Sequence, residues 1–124
     1  MQTQTLHNLE FTIEHLRGMY KKFVDSTDEY PILGVTFPTH YGYIKGYASE
    51  DGHDLDVFVG NGDMYGYVVM TRDDSPTGNE TKTIVAVDQA EWDAIYAEYE
   101  KVIEKMEELD GPDAYFGFIQ QFKK

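Results

Sequence analysis

Asp51-Gly-His-Asp-Leu-Asp-Val-Phe-Val59 is the stretch on which fold and chemistry both turn. Its second half, Leu55-Asp-Val-Phe-Val59, is rich in β-formers and reads as a strand. Alternation sends Leu55, Val57 and Val59 to one face and Asp54 and Asp56 to the other. Residues two apart on a strand are about 6.5–7 Å apart, near enough for two carboxylates to share a cation. Gly52 lets the preceding turn tighten, which brings Asp51 toward the acidic face. Three converging acids with no base in the segment repel one another unless something neutralises them, and a metal ion is the simplest neutraliser. On spacing alone, an exposed acidic turn that leads into a strand fits equally well. The stretch lacks the full ligand spacing of an EF-hand loop.

On either side the pattern stays extended. Upstream, Leu9-Glu-Phe-Thr-Ile-Glu14 alternates as a strand, Gly18 breaks it, and Met19 to Val24 predicts a second one. Asp25 to Glu29 is a polar turn, and Tyr30 to Phe37 is extended between Pro31 and Pro38. Tyr41-Gly-Tyr-Ile-Lys-Gly-Tyr47 reads as a strand that bends at its glycines. Downstream, Gly60 to Asp63 turns into Met64–Thr71, Arg72 to Asn79 is a surface loop, and Thr81–Val87 is a further strand. Leu55, Val57, Ile84 and Val85 are expected to face one core.

The character then changes. Asp88 and Glu91 have capping-box spacing, and Trp92, Ile95, Tyr99, Val102, Met106 and Leu109 recur at helical intervals. The pattern predicts one long helix stopped at Asp110-Gly-Pro112, with a short helix over 112–122. Strands followed by helices imply a single α+β domain with a curled antiparallel sheet.

Bulk properties set the outer limits. The chain has 124 residues, with no repeat or linker-like tract, which suits one domain. There is no cysteine, so disulfides, thiolate nucleophiles and cysteine-based metal sites are excluded, and a cytoplasmic setting is favoured. The first residues lack the pattern of a signal peptide, and no apolar run reaches the roughly 18 residues of a membrane span. A net charge of −13 repels nucleic acid and suits hard divalent cations.

Phe37-Pro-Thr-His-Tyr-Gly-Tyr-Ile44, followed by Ser49-Glu-Asp-Gly-His-Asp-Leu-Asp-Val-Phe-Val59, resembles the central signature of family I inorganic pyrophosphatases. There an aromatic-Pro-x-x-Tyr-Gly-Tyr-Ile stretch precedes an Asp-Gly-Asp-x-x-Asp-Val metal loop. The resemblance extends over about residues 6 to 88. It is especially close to the short pyrophosphatase-like domains of phage and mobile-element polyvalent proteins. It implies a five-stranded, OB-like barrel flanked by helices, and Mg²⁺-dependent (or Mn²⁺-dependent) hydrolysis of a small phosphoanhydride by a metal-activated water. The alternative it leaves open is a catalytically impaired descendant that binds metal, phosphate or a protein partner. Assembly into a homo-oligomer is compatible with either.

The resemblance also assigns roles. Asp51 and Asp56 match the outer aspartates of the metal loop, with Asp73 or Asp74 and Glu80 as the second metal-binding group. His53 stands where the family has its middle aspartate, so the role of that aspartate in catalysis passes to His53 as a neutral base, or to Asp54 if the loop shifts by one. Tyr41 matches the active-site tyrosine and Glu14 an active-site glutamate, while Tyr43 is assigned to packing. Phe37 replaces a hydroxylated aromatic. Arg17, Lys21, Lys22 and Lys82 are the candidate cations for substrate phosphate, Lys82 being the best aligned. The arginine that longer members carry before the aromatic-Pro motif has no counterpart in Asp25 to Thr36. Lys123-Lys124 reads as a frayed tail.

Overall fold

A computed structural model describes residues 2–6, 9–22, 34–72 and 75–124. The turn at Asp25–Glu29, parts of the neighbouring extended segments, and Asp73 and Asp74 therefore lie outside the described residues. The elements are β1 (Gln2–Leu6), β2 (Leu9–His15), β3 (Tyr20–Lys22), β4 (Gly34–Thr36), β5 (His40–Ala48), β6 (Asp54–Val59), β7 (Met64–Thr71), β8 (Asn79–Val87), α1 (Gln89–Tyr99), β9 (Ile103–Leu109) and α2 (Gly111–Ile119). The domain is α+β, as expected, and its sheet is compatible with the barrel-like fold of the resemblance. Seven strands run in the order β1-β2-β5-β6-β8-β7-β9, and β3 and β4 form a separate pair. Neither helix is long and apolar enough to cross a membrane.

The central strand obeys the alternation read from its sequence. Leu55 and Val57 are fully buried and pack with Phe11, Ile13, Ile44, Tyr115 and Ile119 beneath α2. Burying each such side chain contributes about 1.5–3 kcal/mol. Ile84 corrects one expectation. It lies on the opposite face, with Phe58, Val68 and Met70 beneath Ile95 and Tyr99 of α1, while its neighbour Val85 joins Leu55 and Val57. Adjacent strand residues point to opposite faces, so Ile84 and Val85 could not share one core.

β6 and β8 pair in parallel, with Asp56 opposite Lys82, an exception in an otherwise antiparallel sheet. β7 therefore lies outside β8, and the Gly60–Asp63 turn must pass over the end of β8. Gly62 makes this possible: its N–H bonds to the Ala86 carbonyl, and a Cβ there would meet the backbone of Val87 and Asp88.

The long helix is shorter than its periodicity predicts. Asp88 and Glu91 do form the capping box, but α1 ends at Tyr99, and after one 3-10 turn the chain continues as β9. Pairing of Tyr65 to Met70 with Leu109 to Ile103 satisfies backbone groups of β7 that a second helical stretch would have left unpaired. Tyr67 reinforces it by donating to Glu107 Oε2 at 2.7 Å and by stacking on Phe118 of α2 at 4.1 Å. The apolar stripe is split accordingly, with Ile95, Tyr99 and Met106 in one cluster and Leu109 against the other. Here tertiary pairing overrides the helical preference of Glu, Lys, Met and Leu.

Candidate active site

Three adjacent strands place one polar cluster on the α1 side of the sheet. Lys82 on β8 is its centre, 7% exposed. Its Nζ donates to Tyr41 Oη at 2.7 Å, to Asp56 Oδ2 at 2.8 Å and to Glu80 Oε2 at 3.0 Å. Tyr41 on β5 in turn donates its hydroxyl to Asp56 Oδ2 at 2.7 Å. Arg72, at the end of β7, donates from Nη1 to Glu80 Oε1 at 3.0 Å. The arrangement follows from strand pairing. Asp56 faces Lys82 across β6 and β8, Glu80 precedes Lys82 by two residues on the same face, and Tyr41 sits one diagonal step from Asp56.

Burial makes this cluster electrostatically tense. Burial works hardest on the Lys82 ammonium and would lower it, yet its anionic surroundings outweigh that and hold it well above 10.5. Burial also pushes at Asp56, but the charge of Lys82 and the bonds from Lys82 and Tyr41 keep that carboxyl below its usual value. Glu80 goes the other way: burial raises it, Lys82 offsets part, and the charge of Asp56 adds to the rise. Two carboxyl groups in one site are thereby driven apart in acidity. Tyr41 is raised by burial, and Tyr99, on the underside, is pushed up to about 12 by the same cause.

An aromatic ladder backs the cluster. His15 stacks on Phe37 at 4.7 Å, Phe37 on Tyr41 at 4.7 Å, Tyr41 meets Phe58 edge-on at 4.9 Å, and Phe58 meets Tyr99 at 5.7 Å. The Phe37 ring, with no hydroxyl to satisfy, is fully buried and fixes the Tyr41 ring from one side.

The turn that carries Asp51 is fastened by its neighbour. Glu50 accepts from the Ser49 hydroxyl at 2.7 Å and from the N–H and hydroxyl of Thr81 at 2.9 and 2.8 Å. This ties the loop to β8 between Glu80 and Lys82. Asp51 Oδ1 accepts from the His53 N–H at 3.0 Å. Asp51 Oδ2 is buried and has no hydrogen-bond donor, with His53 Nδ1 3.5 Å away. A buried carboxylate oxygen without a donor is costly, and it calls for a cation or an ordered water.

The remaining residues named from the sequence lie further out. The His53 side chain is 72% exposed. Asp54 is turned to Lys124, whose Nζ donates to its Oδ1 at 3.0 Å. Lys123 and Lys124 are therefore no frayed tail: Lys123 bridges Tyr47, and the Lys124 N–H bonds to the Gly46 carbonyl. Glu14 is exposed at the bulge in β2, where the register with β5 shifts. Arg17 lies 3.5 Å from Glu91 Oε2 and is 61% exposed, and Lys21 is exposed on β3. Tyr43 is opposite Asp56 in the β5–β6 register and partly exposed. Asp73, Asp74 and the Lys22 side chain lie outside the described residues. Arg72 is the cluster member that sequence reading did not single out. It opens the Arg72 to Asn79 stretch, whose composition predicts only a surface loop.

A family model described as Inorganic Pyrophosphatase matches residues 1–113, nearly the whole chain. No curated protein matches it.

Proposed function

Because the chain belongs to the inorganic pyrophosphatase family, we propose that the Tyr41–Asp56–Glu80–Lys82 cluster hydrolyses a small phosphoanhydride, pyrophosphate or a nucleotide-like relative, in a magnesium-dependent reaction. One observation carries this reading: a buried Glu80 and a half-buried Asp56 share a single buried ammonium, beside a loop that holds an unsatisfied carboxylate oxygen.

The residues fit a hard divalent ion. Among the described residues no three acids or histidines gather around one point. Magnesium does not need that, because it is commonly held by one or two carboxylates and completes its shell with water and substrate phosphate. Asp56, with Asp51 or Glu80 as the second, would supply the carboxylate oxygens that hold it, and Asp73 and Asp74 are further proposed donors. The ion would supply charge neutralisation and an acidified water.

The chain's own residues supply the rest. Lys82 places a fixed cation where the leaving phosphate gathers charge. Tyr41 holds Asp56 in one rotamer, so that a carboxylate kept ionised faces the substrate side. In the proposed reaction a water oxygen would bond to one phosphorus as the bridging P–O bond breaks and its electron pair leaves with the departing phosphate, and His53, on the loop beside Asp51, is the proposed acceptor of the water's proton. Arg17, Lys21 and Lys22 are the other proposed cations for substrate phosphate, and Glu14 is a further proposed active-site acid.

A second reading has its own support. Asp56 and Glu80 are already paired with Lys82 and Arg72, and a histidine stands in place of the middle aspartate. Both features suit a descendant that binds metal or phosphate without turnover. The test of the metal-binding core common to both is thermal melting. Magnesium or manganese should raise the melting temperature of the wild type, and replacing Asp51 and Asp56 by Asn should abolish that increment. An undiminished increment in the double variant would remove both acids from the metal role.

A further inference from the structure

We infer that Arg72 is a substrate-binding residue, the second cation that, with Lys82, holds the two ends of a diphosphate; this rests on the phosphoanhydride reading. The Glu80 carboxylate has one cation on each oxygen, Arg72 Nη1 at 3.0 Å from Oε1 and Lys82 Nζ at 3.0 Å from Oε2. Glu80 thus sets the spacing of a guanidinium and an ammonium, the latter also in contact with Asp56. The two differ in access. The Lys82 side chain is 9% exposed and that of Arg72 is 29% exposed, so a ligand arriving from solvent meets Arg72 first and Lys82 at depth.

Charge makes such a pair necessary. A diphosphate brings several negative charges to a chain of net charge −13, where the long-range field opposes its approach. Cations inside the site must compensate, and several described cations elsewhere have acidic partners of their own. Arg17 pairs with Glu91, Lys45 with Glu10, Lys105 with Glu107 and Lys124 with Asp54. Among the described residues, Lys82 and Arg72 are the cations in contact with Asp56 or Glu80. Arginine is also the better residue for this place, because its planar fork matches two phosphate oxygens at once, whereas an ammonium acts as a point charge. Its position is prepared in advance. The Arg72 N–H bonds to the Gly78 carbonyl and its own carbonyl accepts from the Ser75 N–H, which fixes the backbone from which the side chain projects.

The test is equilibrium binding of methylenediphosphonate, which cannot be hydrolysed, to the full chain with magnesium, measured by calorimetry beside inorganic phosphate. Wild type should bind the diphosphonate more tightly than phosphate. Arg72→Gln should weaken the diphosphonate roughly tenfold or more and phosphate less, which narrows the gap between them. Arg72→Lys keeps the charge on Glu80 but loses the fork. It should melt like wild type and still bind the diphosphonate several-fold more weakly, a result that a purely structural arginine would not produce. If Arg72→Gln fails to fold, Arg72→Lys alone decides the matter. Should both variants bind within twofold of wild type, Arg72 is no substrate residue and the hydrolase reading stands without it. If wild type binds neither ligand with magnesium or manganese, the phosphoanhydride reading fails, and the role of Arg72 with it.

Discussion

Lys82→Met is the perturbation that probes the cluster most sharply. Methionine matches the length of the lysine stem but removes the ammonium and its three hydrogen bonds, to Tyr41, Asp56 and Glu80. Removing one partner of a buried ion pair typically costs about 3–5 kcal/mol, because the other charge stays buried. Two features push the figure to the lower end: Arg72 remains on Glu80, and the Asp56 side chain is 23% exposed. We expect a loss of about 3 kcal/mol, which for a domain of this size lowers the melting temperature by roughly 10 °C. Urea unfolding measures it, with the denaturant slope as a check on two-state behaviour. The pH dependence follows from the shifts. Lys82 is raised above 10.5, so its contribution is fully present below that value and is lost only as pH climbs through the higher folded value. Asp56 is depressed below 3.8, so its contribution holds above that value and is lost as pH falls through the lower folded one. The wild-type advantage over Lys82→Met should therefore shrink as pH falls, because Glu80, raised by burial and held down in part by Lys82, is raised further without it and takes up a proton in the folded variant. Adding Asp56→Asn to Lys82→Met should recover part of the loss. A single variant within about 1 kcal/mol of wild type, at unchanged slope, would refute the buried pairing.

Two further outcomes test the framework around the site. Gly42→Ala should cost about 3 kcal/mol or more, because the added methyl would overlap the Thr12 carbonyl across the β2–β5 ladder, and a normal melt would show that these strands are not so closely paired. Glu50 is held below 4.5 because the bonds from Ser49 and Thr81 outweigh the burial that raises it. Its contribution is present above that pH and is lost as pH falls through the lower folded value, so Glu50→Gln should flatten the acid limb of stability; identical acid limbs in variant and wild type would mean that the loop is not fastened there.

The readable parts of the fold were those in which local pattern and final environment agree. The strand at Leu55–Val59 alternates in sequence and in burial, and the capping box at Asp88 and Glu91 closes as its spacing implies. Helical periodicity misled where it outran the helix. Ile103–Leu109 is made of helix-forming residues, and its strand state depends on β7, a partner more than thirty residues away. Likewise, Ile84 and Val85 could be assigned to faces only once the register of β8 with β6 was known. At the site, Tyr41, Asp56, Glu80 and Lys82 stand out in sequence through the motif, but not their mutual bonding, which needs three strands in register. Arg72 carried no sequence signal of its own, because a single arginine among acids looks like surface. The docking of Lys123 and Lys124 was equally silent, since it depends on the bend at Gly46.

The most direct measurement of the central claim is phosphate release from pyrophosphate and a panel of nucleotides by the wild-type chain, with and without magnesium or manganese, beside His53→Asp and Asp54→Asn. The account predicts release by the wild type only when the metal is present, with a pH profile that His53→Asp changes and Asp54→Asn leaves in place. Release at the buffer rate by all three proteins with either metal would contradict hydrolysis and leave the family fold without that activity.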